Sequence, residues 1–280
     1  MSTRSSGVPG TSWLGSPIDA RALFGPEADA LLGTLRALTA ADWHRTAAGH
    51  WTVHAVAAHL LGDHLGRLGH DHRNSRAEGE TVEAFIHRTN QEWVDLHADD
   101  SPASLVDALA ATGTRLARRF SAADLDAAAV GVSWAGVDPA PAWLDIAREF
   151  TEHWTHRQQI RHAVGRGTDQ EPRALTVVLD TFLRALPHTL RHTPAPTGTQ
   201  IRVTAEGPAG GTWTATAKDD RWSLAEAPSG RPAAVVLMDT ETAWRPAVRS
   251  IAPADALARA RVRGDRRLAE AVCRIVSVVR

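Results

Sequence analysis

Residues 141–165 read Pro141-Ala-Trp-Leu-Asp-Ile-Ala-Arg-Glu-Phe150-Thr-Glu152-His-Trp-Thr-His156-Arg-Gln-Gln-Ile160-Arg-His-Ala-Val-Gly165. No Gly or Pro interrupts the run between Pro141 and Gly165, and Gly165 and Gly167 are stop signals, so the stretch predicts one long helix from about Pro141 to Val164. Trp143, Ile146, Phe150 and Trp154 recur at helical spacing and form its apolar stripe. Glu152 and His156 lie roughly opposite that stripe. Four residues apart, they point the same way, one turn above the other. A carboxylate and an imidazole so placed can be two ligands of one divalent ion. Glu149 and His153 share the spacing, with His153 nearer the stripe, so spacing leaves both registers open.

The third donor comes from far upstream. In Trp51-Thr-Val-His-Ala-Val-Ala-Ala-His59-Leu, Thr52 is the expected cap of a helix whose stripe is Val53, Val56, Ala57, Leu60, Leu61, His64 and Leu68. His59 sits on the flank of that stripe. One carboxylate (Glu152) with two imidazoles (His59 and His156) suits zinc best, and also iron, nickel or cobalt. Three protein ligands leave a coordination position open, which separates a catalytic metal from a structural one. Asp63, one turn beyond His59, is an expected outer partner. His64, His70, His72 and His162 read for the most part as surface residues. The competing account makes His59 a packed histidine and puts Glu152 and His156 on a solvated face; the chain has 14 His.

Around these two segments the first half is helical. Pro26 fits the first turn of a helix carrying Leu31, Leu35 and Leu38. Thr81 opens a segment through Phe85, Trp93 and Leu96, and Ser101-Pro102 starts another with Leu105, Leu109 and Leu116. Four or five amphipathic helices on short loops make a bundle the economical architecture. After Gln170-Glu-Pro172 the pattern changes. A helix from Arg173 to about Arg191 leads to Pro194-Ala-Pro196-Thr-Gly198, then to period-two alternation at Ile201, Val203 and Ala205. Thr212–Thr216 follows a Gly-Gly turn as the hairpin partner, and Trp222–Leu224 and Ala234–Met238 are further strands. Asp239 or Thr240 caps a helix through Trp244, and Asp265 caps the last one. The reading is two domains: a tail over 1–17, an all-α domain over 18–168, and a small α+β domain with an antiparallel sheet over 172–280.

Composition bounds the function. Hydrophobic content of 43%, charged content of 22% and a net charge of -1 describe a soluble globular protein and favour neither nucleic acid nor an anionic membrane. No apolar run approaches the roughly twenty residues of a spanning helix, and the N-terminus lacks the apolar core of a secretory signal. The single cysteine, Cys273, cannot form an internal disulfide, which makes the cytoplasm the expected location. Ten Trp without a Tyr serve equally as packing or as pocket lining. Nothing in the sequence sets the oligomeric state.

The motifs resemble a known family. Trp51-Thr-Val followed by His59-Leu is similar to the start of DinB-like metal-binding bundles. The run Arg148–Gly165 resembles the mycothiol-dependent maleylpyruvate isomerase family, whose usual form is E-x-x-x-H-x-x-D-hydrophobic and then Ala-x-Gly. Matching Ala163-Val-Gly165 to that ending selects Glu152 and His156 over Glu149 and His153. Asn90-Gln-Glu-Trp93-Val is similar to a segment between the ligand helices. Thr242-Ala-Trp-Arg245, Ile251-Ala-Pro and Val262-Arg-Gly-Asp265 resemble that family's C-terminal domain, related to sterol-carrier folds. Two positions depart from the pattern: Gln159 stands where the family has Asp, and Ser250 where it usually has Gly.

The resemblance implies a DinB-like four-helix bundle followed by a sterol-carrier-like domain. It implies a divalent metal, zinc first, on His59, Glu152 and His156, and mycothiol as cosubstrate. A metal-bound thiolate would attack a small electrophile, giving a cis-trans isomerase if the thiol is expelled and an S-transferase if it stays. Trp51 and Arg245 are the residues expected at the thiol, and Arg245 also takes the catalytic role of holding a carboxylate. Two rival functions are a metal-dependent hydrolase with Glu149 or Asp63 as base, and a non-catalytic ligand-binding or resistance protein.

Overall fold

The computed structural model describes residues 10–70, 77–227 and 229–278. Packing divides them into two compact units. One joins Ala20–Ala123 to Glu152–Asp169; the other joins the residues up to Asp19 to Asp124–Thr151 and to the chain from Gln170 onward.

The first unit is helical. It holds α1 (Phe24–Arg36), a two-stranded ribbon of β1 (Thr46–Ala48) and β2 (Trp51–Thr52), α2 (Val53–Arg67), α3 (Val82–Leu96), α4 (Pro102–Ser121) and the later part of α5 (Ala142–Ala163). The caps are those the sequence announces. The hydroxyls of Thr52, Thr81 and Ser101 accept from the N–H of Ala55, Ala84 and Ser104, each filling one of the unpaired donors at a helix start. Leu31 and Leu35 of α1, Val56, Leu60 and Leu61 of α2, Leu105 and Leu109 of α4 and Ile160 of α5 form one buried cluster. Burial of each large aliphatic side chain contributes about 1.5–3 kcal/mol. Gly62 lets α3 come close: a Cβ there would stand 2.8 Å from the Trp93 ring, whose Nε1 donates to the Ala58 carbonyl at 2.8 Å. Of the histidines expected at the surface, His64 is buried, because it falls on the stripe of α2; His72 lies outside the described residues.

The second unit is built on a five-stranded sheet. After the short pair β3 (Ala128–Ala129) and β4 (Ala140–Pro141) and the start of α5 come α6 (Pro172–Leu183), α7 (Leu186–Leu190), β5 (Gln200–Glu206), β6 (Gly211–Ala217), β7 (Trp222–Ser223), β8 (Ala234–Asp239), α8 (Thr240–Trp244), α9 (Pro253–Arg259), β9 (Arg261–Gly264) and α10 (Arg266–Val272). The strand order is β7-β6-β5-β8-β9. β5 and β6 form the expected hairpin, and the turn needs glycine: a Cβ on Gly210 would lie 2.1 Å from the Ala205 carbonyl oxygen. The sheet is mixed, not antiparallel as expected. β5 and β8 run parallel, pairing Ile201 with Ala234, Val203 with Val236 and Ala205 with Met238, and all six are buried. Their shared apolar face sets the register, since a one-residue slip would turn every one of them outward.

Three further differences have physical causes. The helix expected from Arg173 to Arg191 is two helices, because Pro187 offers no N–H and cannot sit in a helix interior; it occupies the first turn of α7 instead. β9 escapes the alternation signal because Arg261 and Arg263 flank its one apolar residue, Val262, a pattern suited to an edge strand. Within the segment read as a tail, residues 1–9 lie outside the description, but Ser12–Leu14 form a turn with Leu14 buried. The Leu14 carbonyl accepts from the Arg184 guanidinium, and that of Trp13 accepts from the Leu224 N–H at 2.7 Å. Segment 124–151, expected in the helical domain, groups with the sheet unit because Trp143 lies under the Arg184 guanidinium and Gly136 approaches His188.

Cys273 lines an apolar pocket with Leu183, Val203, Trp213, Met238 and Val272. Burial pushes its thiol up to about 11, so almost none is thiolate near neutral pH. A chromogenic disulfide reagent is expected to titrate no thiol in the native protein and one after unfolding; rapid native reaction would contradict the packing.

Candidate metal centre

α2 and α5 are the two elements that build the site, and both place their donors as their helical periods require. His59 projects from the middle of α2 and is 5% exposed. Glu152 and His156 project side by side from α5. Glu152 Oε1 lies 3.0 Å from His156 Nε2 and 3.4 Å from His59 Nε2. One ligating atom from each of the three residues lies within 4.8 Å of the others, a spacing that would suit a single ion. The two imidazole rings meet edge to face, 4.9 Å apart. The carboxylate side chain keeps 29% of its surface open, which leaves an approach to the centre.

His156 is held from behind, and His59 is flanked. His156 turns Nδ1 to the carbonyl oxygen of Gln159 at 2.7 Å. Asp63 Oδ2 lies 3.4 Å from His59 Nε2, the nitrogen that also faces Glu152, so Asp63 stands beside the donor atom and not behind the ring as an outer partner would. The Trp51 ring lies 5.0 Å from the His59 ring. Its indole Nε1 donates to Gln91 Oε1 at 2.8 Å, while the Gln91 amide nitrogen donates to Asp95 at 2.8 Å. A chain from α3 thus fixes the aromatic wall beside His59. Gln91 was not singled out as a site residue in the sequence; its only mark there is its place in the Asn90–Val94 run. Burial works against ionisation of Glu152, but the facing imidazoles of His156 and His59 outweigh it and hold the carboxyl well below the usual carboxylate range. The centre therefore presents an ionised carboxylate between its two rings at neutral pH.

The other register is used differently. His153 turns its edge to the Phe24 ring at 5.6 Å and lies 4.8 Å from the ring of His64. His64 Nδ1 donates to Thr112 Oγ1 at 2.8 Å, since that hydroxyl is spent on the Ala108 carbonyl. Glu149 belongs to the other unit, where its carboxylate lies 3.5 Å from the Arg148 guanidinium. Arg245 also belongs to that unit; it donates to Glu241 at 2.8 Å and lies over the ring of Trp244.

Residues 24–161 match the model of the mycothiol maleylpyruvate isomerase N-terminal domain. That segment belongs to this family. All three converging donors, His59, Glu152 and His156, lie inside the match. Among solved structures, a mycothiol-dependent maleylpyruvate isomerase aligns at 15% identity over 84% of this chain and 90% of its own, with a TM-score of 0.43. A histidine-to-alanine mutant of such an isomerase aligns at 16% identity over the same shares, with a TM-score of 0.40. No curated protein matches the chain. Among the described residues, no helix is long and apolar enough to cross a membrane.

Behind the donors, α5 is anchored by Arg157. Its guanidinium donates to both oxygens of Glu27 on α1, at 2.5 and 2.9 Å, and to Asp169 at 2.8 Å. Arg157 and Glu27 are almost wholly buried, so neither charge has water to fall back on. Arg157→Leu is expected to cost about 3–5 kcal/mol because it leaves Glu27 buried and uncompensated. The urea midpoint measures this, and a loss below about 1 kcal/mol would show that the pair does not anchor α5.

Proposed function

We propose that the protein is a metal-dependent enzyme that uses a low-molecular-weight thiol, mycothiol, to isomerise or thiolate a small electrophile. The observation that carries this reading is the meeting of His59, Glu152 and His156 donor atoms within 4.8 Å, inside a segment that matches a mycothiol-dependent family. Two imidazoles and one carboxylate are a donor set that suits zinc. The DinB-like bundle and the sterol-carrier-like character of the C-terminal domain belong to the same proposal.

Bound on these three residues, zinc supplies a Lewis acid with an open position that favours the ionised form of an incoming thiol. The chain's own residues do the rest. Glu152 and the two imidazoles fix the direction from which the thiol arrives, the open side of Glu152 being the accessible one. The indole of Trp51, tethered by Gln91, gives the thiol's carbon frame an apolar wall and limits water beside His59. Orientation of two reactants in this way accounts for up to about 7–11 kcal/mol of barrier lowering. In the isomerase outcome, the sulfur adds to one carbon of a cis double bond and the electron pair moves onto the substrate. Rotation about the new single bond follows, and return of the pair expels the thiolate, so the thiol is regenerated. In the transferase outcome, the C–S bond is kept and the substrate carbanion takes from solvent a proton equivalent to the one the thiol released on ionising. Arg245 is assigned to a substrate carboxylate on the strength of the family resemblance.

Elemental analysis of the purified protein is expected to find one equivalent of zinc. His156→Ala should lower zinc affinity by more than the about 10–100-fold that loss of an outer partner costs. Chelation is expected to abolish mycothiol-dependent turnover of maleylpyruvate or another thiol-reactive electrophile, and added zinc to restore it. Full activity of a verified metal-free protein would overturn the proposal, and turnover independent of thiol would replace it with the hydrolytic reading.

A further inference from the structure

We infer that Gln159 is a positioning residue for the candidate centre: its side-chain carbonyl locks the His156 ring so that Nε2 is the nitrogen offered to a cation. This rests on the metal reading above. Gln159 stands three residues after His156 on α5, within side-chain reach on the same helix face. Its Oε1 lies 2.7 Å from Nδ1 of His156, while Nε2 of the same ring lies 3.0 Å from Glu152 Oε1. An amide oxygen carries lone pairs and no proton, so in this contact Nδ1 donates and is taken out of competition for a cation. Nε2 is then the nitrogen turned to Glu152 and His59, and the one free to give its lone pair to a cation there. Without an acceptor behind it, the imidazole could turn over or place its proton on either nitrogen, and the three donors would meet only part of the time.

The residue type matters as well as the place. A carboxylate behind Nδ1 would draw the proton towards itself and make the ring a stronger donor. The amide of Gln159 supplies the same direction without adding a negative charge beside Glu152. Gln159 therefore replaces the function of an acidic outer partner in geometry while leaving the centre less electron-rich. The side chain is only half-buried, so its packing contribution is small and its role is separable from stability.

The test compares full-length wild type, Gln159→Leu and the isosteric Gln159→Glu, with zinc itself as probe in competition with a chromophoric chelator. Gln159→Leu is expected to bind zinc about 10–100-fold more weakly. Gln159→Glu, which keeps an acceptor at the same reach, is expected to bind at least as tightly as wild type. Side-chain nitrogen NMR of zinc-loaded wild type should show His156 ligating through Nε2 with the hydrogen on Nδ1. Equal zinc affinity in Gln159→Leu, or ligation through Nδ1 in wild type, overturns the role of Gln159 while leaving the metal reading intact. A wild type that takes up no zinc removes both. Should Gln159→Leu fail to fold, the wild-type spectrum and Gln159→Glu still decide.

Discussion

One carboxylate oxygen, Oε1 of Glu152, faces the Nε2 atoms of two imidazoles from different helices. Most of what is specific about the helical unit can be traced to keeping that arrangement in place. Burial would drive the carboxyl towards its neutral form, and only the adjacent imidazoles reverse the preference. The cluster is thus electrostatically self-consistent only when all three groups are present and correctly turned. A small cation shared between their donor atoms satisfies the same requirement with stronger bonds, and this is why the arrangement reads as a ligand set rather than as a chance ion pair. His59 has no such reason to be almost wholly enclosed beside a charged residue if it merely fills space on the flank of α2.

Holding α5 in one rotation is the corresponding structural problem. The helix buries Thr151, His153, Thr155, Arg157 and Gln158 along with Phe150, Trp154 and Ile160, so polar and apolar groups alternate around most of its circumference. A purely apolar contact would tolerate small rotations of such a helix; directional bonds do not. The two-pronged bond from Arg157 to Glu27 and the bond from the Asp169 N–H to Gln158 define a single angle. Rotation by about 60° with a slide of about 4.5 Å along the axis would put His153 where His156 stands. The buried ion pair is consequently better understood as a device for register than as a source of net stability.

These features also mark the limit of what the sequence shows. Caps at Thr52, Thr81, Ser101, Asp239 and Asp265 are local events: a side-chain oxygen bonds an N–H two or three residues on, so they are legible in a short window. Strand alternation in Ile201–Ala205 and Ala234–Met238 is local in the same sense. The parallel pairing of those two strands is not, because it is decided by which faces meet across the intervening chain, residues 207–233. The pairing of Arg157 with Glu27 spans 130 positions and leaves no trace in either neighbourhood. Spacing alone could not choose between Glu149–His153 and Glu152–His156, since both obey the same period. What separates them is the partner each finds: His153 meets Phe24 and His64, whereas His156 meets Glu152 and His59.

The departure at Gln159 shows how a substitution that looks like a loss can be neutral in one respect and consequential in another. Orientation of an imidazole needs only an acceptor of the right reach behind Nδ1, and an amide oxygen provides it as well as a carboxylate does. Basicity of the ring needs charge, which the amide does not provide. On the proposed metal reading, a centre with Gln at this position would keep its shape but withdraw more electron density from a bound thiol than one with an acidic residue would. For a reaction that begins with ionising a thiol, that shift stabilises the ionised sulfur and correspondingly lowers its nucleophilicity. On the proposed thiol chemistry, the balance would move towards substrates that are themselves strongly electrophilic, and away from those that demand the most reactive thiolate.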